Sequence, residues 1–108
     1  MDAFFHITET NFEQEVLKSS GAVLMEFGAT WCVPCKQLEP ELIKLGGEWG
    51  SKVRLVKADV DENPNLVMKF GVMSVPTIIL FVGGQAKQRL TGYQPRQRIL
   101  EKMDPYLG

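Results

Sequence analysis

Cysteine and histidine are scarce in this chain of 108 residues, which contains two cysteines and a single histidine. Two cysteines are too few for the disulfide network of a small secreted domain, and a chain of this length buries a core without one. Zinc normally takes three or four protein ligands. Beyond the two cysteines, the chain offers only His6 as a nitrogen ligand, so a zinc site would need carboxylates or a second chain. We therefore expect no bound metal.

Long runs of one residue type are also missing. No apolar stretch approaches the roughly 20 residues that cross a membrane. The net charge is -1 with both signs interspersed, which argues against nucleic acid or an anionic membrane as the main partner. Residues 1–6 have neither the basic start nor the apolar core of a signal peptide. The sequence therefore predicts a cytoplasmic protein with one domain over residues 1–108.

Apolar periodicity divides the chain into strands and helices, which indicates an α/β fold. Alternating strands and helices imply parallel crossovers, and a Gly83-Gly84 turn adds an antiparallel hairpin strand. Thr10 and Glu13 match a capping box at the start of the first helix, and Gly21 is expected to end it. The predicted strands are residues 4–7, 22–29, 53–57, 77–82 and 87–91, and the predicted helices are residues 10–21, 32–45, 63–71 and 95–105.

The segment of residues 22–29 is apolar without alternation, apart from Glu26. Such a run is typical of a strand buried on both faces in the middle of a parallel sheet. The helix that follows contains Gly46 and Gly47, which each weaken a helix by about 1 kcal/mol relative to alanine. We therefore expect this helix to end near Leu45.

Both cysteines, Cys32 and Cys35, lie at the predicted junction between that strand and that helix. The free N–H groups and the dipole of a helix N-terminus stabilise a thiolate, and Lys36 adds positive charge. Pro34 fits the first helical turn, where a missing N–H costs nothing. The spacing lets the two sulfurs meet, so Cys32 is predicted to attack a disulfide and Cys35 to resolve the product. The alternative is two unrelated buried thiols.

The sequence around this dithiol resembles the thioredoxin family. The resemblance rests on Trp-Cys-x-Pro-Cys-Lys at residues 31–36, Pro40 within the helix, Asp-Val-Asp at residues 59–61, Val-Pro-Thr at residues 75–77, Gly84 and Gly92. It runs from the first helix to the last, in order and without large insertions. The resemblance implies a thioredoxin fold, with a central five-stranded mixed β-sheet flanked by four helices.

The resemblance also implies reduction of protein disulfides, with electrons from a flavin-dependent thioredoxin reductase and disulfide-containing proteins as targets. A dithiol carries two electrons itself, so no bound cofactor is needed. We therefore expect a monomeric protein-disulfide reductase. Two alternatives stay open at this stage. One is a thiol oxidant or isomerase of exported proteins, and the other is a non-catalytic docking module that holds a partner subunit.

Glu26 is an acid within an apolar strand, where desolvation raises the pKa of a carboxyl group. It is a candidate proton acceptor for Cys35, unless it lies at a bulge or edge that reaches water. The family usually has aspartate here, so glutamate is a departure. Lys57 is expected to end the neighbouring strand, at a position that the family places near the buried acid. It would tune Glu26, or it would be a solvated strand end.

An apolar groove around Cys32 is expected from Trp31, Pro34, Val75 and Gly92, as a surface for target proteins. The alternative is that Trp31 and Val75 only cover the core. The resemblance further implies a cis bond before Pro76, which would leave the Val75 backbone free to pair with an extended peptide. Otherwise Pro76 simply starts a strand.

Three further positions depart from the family pattern. Val33 lies between Cys32 and Pro34, where the family most often has glycine. A β-branched residue is stiff and covers part of the sulfur, so we expect a moderately shifted redox potential with activity retained. Ser74 replaces a frequent glycine and Gly28 a frequent tryptophan, and either change affects which partners fit.

Overall fold

The fold is an α/β arrangement with a five-stranded sheet between two layers of helices, and the computed structural model describes residues 3–108. The predicted sheet and its four flanking helices are confirmed. The strands are β1 (Phe5–His6), β2 (Ala22–Gly28), β3 (Val53–Asp59), β4 (Thr77–Val82) and β5 (Gln85–Thr91). The helices are α1 (Glu13–Leu17), α2 (Val33–Trp49), α3 (Pro64–Lys69) and α4 (Arg96–Met103), and short 3-10 turns follow α2 at Gly50–Lys52 and α4 at Asp104–Tyr106.

The sheet has the strand order β1-β3-β2-β4-β5. Strands β1 and β2 both run parallel to β3, whereas β4 runs antiparallel to β2 and β5. Gly83 and Gly84 form the turn between β4 and β5, and both have the positive φ that a two-residue hairpin turn favours. The mixed sheet therefore places β2 at its centre, with a parallel neighbour on one side and an antiparallel neighbour on the other.

Every residue of β2 is buried, as its continuous apolar pattern predicts. Alternate residues of a strand point to opposite faces of a sheet. Leu24 therefore packs with Leu38 of α2 and Ile99 of α4, while Phe27 packs with Phe12 and with Leu66 of α3 on the opposite face. By the same alternation, Glu26 and Gly28 lie on the face that α2 covers.

The expected end of α2 near Leu45 is wrong, because the helix continues through Gly46 and Gly47 to Trp49. A Cβ atom built on Gly46 would lie 2.7 Å from Leu55 Cδ1, so glycine allows the helix to lie close to β3. Trp49 is buried, and its indole N–H donates a hydrogen bond of 3.2 Å to Asp104. Tertiary packing thus outweighs the low helix propensity of glycine.

The predicted capping box at Thr10 and Glu13 is also wrong. Helix α1 has Phe12 at its N-cap position and no side-chain cap. The Thr10 hydroxyl instead lies 2.9 Å from the Thr8 hydroxyl, within a turn that precedes the helix. The helix ends at Leu17, well before Gly21, and its Lys18–Glu13 backbone bond spans five residues, as in a π-helix.

The expected absence of a signal peptide concerns residues 1–6, of which residues 1–2 lie outside the described residues. Across residues 3–108, none of the helices is both long and apolar enough to span a membrane. The same residues include no cluster of three or more histidine, cysteine, aspartate or glutamate side chains arranged to bind a metal ion.

Candidate active site

The two cysteines form a disulfide at the start of α2, with Cα atoms 5.3 Å apart. Cys32 is the N-cap residue of this helix, and its sulfur accepts a hydrogen bond of 3.2 Å from the Cys35 backbone N–H. Pro34 lies in the first turn, where its missing N–H leaves no hydrogen bond unmade. The strand–helix junction that the sequence predicts therefore brings both sulfurs together at a helix N-terminus.

The two sulfurs have different neighbours. The Cys32 sulfur accepts a hydrogen bond from a backbone N–H of the helix, whereas the Cys35 sulfur and the Glu26 carboxyl group both lie close to Gly28. A Cβ atom built on Gly28 would lie 3.4 Å from Cys35 Sγ and 3.2 Å from Glu26 Oε2. Both atoms therefore border the small space that glycine leaves open at this position. Cys35 is the thiol that has a carboxyl group beside it.

Glu26 is completely buried in the centre of the sheet, so the interpretation as an edge or bulge that reaches water is wrong. Among the described residues, no N–H or hydroxyl donor reaches either of its carboxyl oxygens. Burial, followed by the negative charge of Glu39 and a hydrogen bond with it, raises the pKa of Glu26 to about 9, although Lys57 acts in the opposite direction. Glu26 is therefore protonated at neutral pH.

Lys57 lies directly beside Glu26 in the parallel pairing of β2 with β3. The expectation that it ends its strand is wrong, since β3 continues to Asp59. Its ammonium Nζ lies 3.0 Å from the Glu39 carboxylate of α2, and both side chains are about a quarter exposed or less. Lys57 is therefore neither a strand end nor a freely solvated side chain. Its ion-pair partner Glu39 also acts on the pKa of Glu26.

Glu39 is not among the site residues that the sequence predicts. It follows Cys35 by four residues, a spacing that places two side chains on the same face of a helix, one turn apart. That spacing is the one sequence signal that places Glu39 on the same face of the helix as Cys35. The contact with Glu26 depends on how α2 crosses the sheet, which no local pattern specifies.

Trp31 and Val75 line one shallow groove of about 240 Å³. The indole of Trp31 is 64% exposed, and its N–H donates a hydrogen bond of 2.8 Å to Asp61. Val75 packs against the buried pair of cysteines. The groove is completed by residues that the sequence analysis did not assign to it, namely Val60, Val67, Val72, Met73 and Ser74.

Pro76 follows a cis peptide bond, which confirms the expectation from the family resemblance. It is buried, and its carbonyl oxygen accepts a hydrogen bond of 2.7 Å from the Gly92 N–H. Gly92 has a φ of 81°, a conformation that favours glycine. Gly92 therefore lies next to Pro76 through the backbone, although it does not line the groove.

Val33 and Pro34 are exposed in the first turn of α2 and do not line the groove either. Val33 is 61% exposed, so its side chain lies on the surface beside Cys32. Within residues 3–108, Met73 is the most exposed large apolar residue, at 95%. Its position two residues before Val75 is the sequence signal that could have assigned it to the groove. Asp61 was noted only as part of a motif.

A dithiol that closes to a disulfide at a helix N-terminus can exchange electrons with other disulfides. The fold and this site together assign the protein to the thiol–disulfide oxidoreductases.

Comparison with known proteins agrees with this class. The family model described as Thioredoxin matches residues 3–105. The chain is 41% identical to the thioredoxin of Staphylococcus haemolyticus and 40% identical to that of Staphylococcus saprophyticus, each over 105 residues that cover 97% of this chain and 99% of the relative. It is 37% identical over 105 residues to the thioredoxin of Chlorobaculum thiosulfatiphilum, with 97% of each chain covered. The chain belongs to the thioredoxin family.

Proposed function

We propose that this protein reduces protein disulfides, with Cys32 as the attacking thiolate and Cys35 as the resolving thiol. The observation that carries this assignment is the difference between the two sulfurs. Cys32 Sγ accepts a helix N–H, which stabilises a negative sulfur, while Cys35 Sγ lies near the Glu26 carboxyl group. Cys32 is thus placed to be the nucleophile, and Cys35 is placed to lose its proton in the resolving step.

In the first step, the Cys32 thiolate attacks one sulfur of the target disulfide. A bond forms between Cys32 and that sulfur, the target S–S bond breaks, and the electron pair leaves with the other target sulfur. The helix N-terminus lowers the cost of the initial negative charge. The product is a mixed disulfide between the protein and its target.

In the second step, Cys35 attacks the Cys32 sulfur of the mixed disulfide. In molecules in which Glu26 is ionised, the Cys35 proton passes to the Glu26 carboxylate, the Cys32–Cys35 bond forms, and the second target sulfur leaves as a thiolate. The target gains two electrons and the dithiol loses two. Lys57 supports this step because its positive charge favours the ionised form of Glu26.

The target peptide is proposed to lie over the surface around Cys32. Trp31 and Val75 supply the groove walls, and Val33 with Pro34 presents an exposed apolar edge at the start of α2. The other proposed contacts come from Pro76 and Gly92, which are joined by a backbone hydrogen bond. An extended peptide that pairs with the Val75 backbone would hold its disulfide over Cys32.

A thioredoxin reductase is the proposed electron donor, and disulfide-containing proteins are the proposed targets. A reductant of this kind must be returned to its dithiol form after each turnover, which favours the cytoplasm as its location. We propose that the chain acts as a monomer with one domain over residues 1–108, without a bound cofactor.

Single-cysteine variants test the assignment. Cys35→Ser is expected to accumulate a covalent mixed disulfide with an oxidised protein target, whereas Cys32→Ser is expected to form none and to lose turnover. The wild-type protein should reduce the target repeatedly with NADPH and a thioredoxin reductase. Partner binding and function that survive in Cys32→Ser would instead indicate a docking module. A disulfide that the reductase cannot reduce would favour a thiol oxidant.

A further inference from the structure

Glu39 lies between the buried acid and the solvent. Glu26 is completely buried on β2, whereas the Glu39 side chain on α2 is 21% exposed. No N–H or hydroxyl donor of the described residues reaches the Glu26 oxygens, and the negative charge of Glu39 and a hydrogen bond with it help to raise the pKa of Glu26. A hydrogen bond between two carboxyl groups needs a proton on one of them, and burial favours that proton on Glu26.

Lys57 forms an ion pair with Glu39. Its ammonium Nζ lies 3.0 Å from Glu39 Oε2. The proton between the two acids then belongs to Glu26, which is the more deeply buried group. The negative charge of Glu39 also offsets part of the positive charge of Lys57, so Lys57 lowers the pKa of Glu26 less than it would without Glu39.

Few charged groups within residues 3–108 face Glu26. Glu39 faces it from α2 and Lys57 from β3, while its antiparallel neighbour on β4 is the apolar Ile78. Cys35, also on α2, is the remaining titratable neighbour once the disulfide is reduced. Among the described residues, Glu39 is therefore the nearby negative charge that opposes ionisation of Glu26.

We propose that Glu39 is a positioning residue for disulfide resolution, which holds the proton on Glu26 and so sets the pH at which Glu26 becomes a base for Cys35. This inference rests on the proposed function, in which Glu26 accepts the Cys35 proton. The proton and electron balance of that step is unchanged. Glu39 determines what fraction of the molecules carries the Glu26 carboxylate at a given pH.

The proposal predicts a variant whose Cys35 resolves the mixed disulfide faster at neutral pH than the Cys35 of the wild type does. Glu39→Gln removes the negative charge that opposes ionisation, and it frees Lys57 to act on Glu26. The midpoint of the resolving step should then fall by about one pH unit, because a nearby charge shifts a carboxyl pKa by about that much. At neutral pH the resolving rate should rise by up to about tenfold. At a pH above both midpoints, the two proteins should react at the same rate.

The resolving step is measurable with an aromatic disulfide reagent that releases one coloured thiolate at each step. The first release reports attack by Cys32, and the second reports resolution by Cys35. Stopped-flow traces over a range of pH give both rates for the wild type and Glu39→Gln. The first release should be nearly unchanged. A second release that is faster at neutral pH and equal at high pH supports the proposal.

Glu41→Gln is the matched control, because it removes the Glu41–Lys44 ion pair of 3.8 Å from the same helix. Its profile should match that of the wild type. A Glu39→Gln profile that coincides with the wild type, or a rate that falls at every pH, overturns the positioning role.

Glu26→Gln and the double variant Glu26→Gln/Glu39→Gln should have identical resolving profiles, since Glu39 acts through Glu26. Different profiles for these two proteins would overturn the proposal. A wild-type protein that never releases the second thiolate would overturn the proposed function itself, which is a distinct outcome.

Discussion

The indole N–H of Trp31 donates a hydrogen bond of 2.8 Å to Asp61 Oδ2. This bond joins the residue before Cys32 to the loop after β3, and it holds an exposed indole against the groove. The Asp61 backbone N–H in turn donates a bond of 2.8 Å to the Asp59 carboxylate. One wall of the groove therefore depends on the geometry of a short acidic loop.

Asp61→Ala is expected to release the Trp31 indole and to weaken recognition of protein targets. A hydrogen bond of this kind contributes about 1 kcal/mol, which corresponds to about a fivefold loss of kcat/KM toward a protein disulfide. Steady-state turnover with a protein target measures it. The rate with a small aromatic disulfide should hardly change, because that reagent does not need the groove.

Asp61→Asn is the matched control, since its side-chain oxygen still accepts the indole N–H. It should keep nearly full kcat/KM, and the tryptophan fluorescence of the folded protein should change in Asp61→Ala only. An equal loss in both variants would show that the charge of Asp61, and not the hydrogen bond, is what matters.

Glu26 makes the stability of the fold depend on pH. Its pKa is raised to about 9 from an ordinary value of 4.5, so the folded state holds a proton that the unfolded state releases between these values. The stabilising effect of this proton is complete below pH 4.5 and is lost as the pH rises to about 9. The free energy of unfolding should therefore fall over that range.

Glu26→Gln should remove this dependence, because the amide does not titrate. At neutral pH the variant should be more stable than the wild type by up to about 3 kcal/mol, with the difference shrinking toward pH 4. Urea unfolding of the oxidised proteins at several pH values measures it. The prediction fails if the wild type and the variant show the same slope of unfolding free energy against pH.

Arg89 ties the edge strand β5 to the end of α3. Its guanidinium group donates hydrogen bonds to the Phe70 carbonyl and, at 2.9 Å, to the Gly71 carbonyl. The next residues along the chain, Val72–Val75, line the groove. Arg89 therefore helps to fix the position of the segment that leads into the groove residues.

Arg89→Lys keeps the charge but cannot make both bonds in the fixed geometry of a guanidinium group. We expect a loss of about 1 kcal/mol in unfolding free energy and faster amide hydrogen exchange at residues 70–75. Lys87→Ala on the same strand is the control, because the Lys87 ammonium donates a hydrogen bond of 2.9 Å to the nearby Gln85 side chain of the same strand. If Lys87→Ala has the same effect as Arg89→Lys, the contribution is not specific to Arg89.

The features that the sequence predicted well are those with a local cause. The buried strand β2 follows from an unbroken apolar run, and the position of Cys32 at a helix start follows from Pro34 and from the periodicity after it. The cis bond before Pro76 followed only from the family resemblance. The signals for β2 and for Cys32 lie within a few residues of the features that they predict, whereas the resemblance extends over most of the chain.

The features that the sequence did not predict depend on contacts between distant segments. Glu39 meets Glu26 and Lys57 only because α2 crosses the sheet at one particular place. Asp61 reaches Trp31 across 30 positions of the chain. Neither contact has a spacing that periodicity can reveal.

The end of α2 separates local from tertiary causes most clearly, because two adjacent glycines have opposite surroundings. A Cβ atom on Gly46 would lie 2.7 Å from Cδ1 and 3.2 Å from Cγ of the buried Leu55, whereas nothing lies within 4 Å of one on Gly47. Gly47→Ala should therefore stabilise the protein by about 0.5–1 kcal/mol through helix propensity alone.

Gly46→Ala gains the same propensity but must displace Leu55, which is held in the core. We expect it to be about 1 kcal/mol less stable than the wild type, and about 2 kcal/mol less stable than Gly47→Ala. Urea unfolding of the three proteins measures the difference. In a Leu55→Ala background the clash disappears, so Gly46→Ala should then be stabilising. If Gly46→Ala stabilises the wild-type protein as much as Gly47→Ala does, close packing against Leu55 is not the reason that glycine is tolerated in this helix.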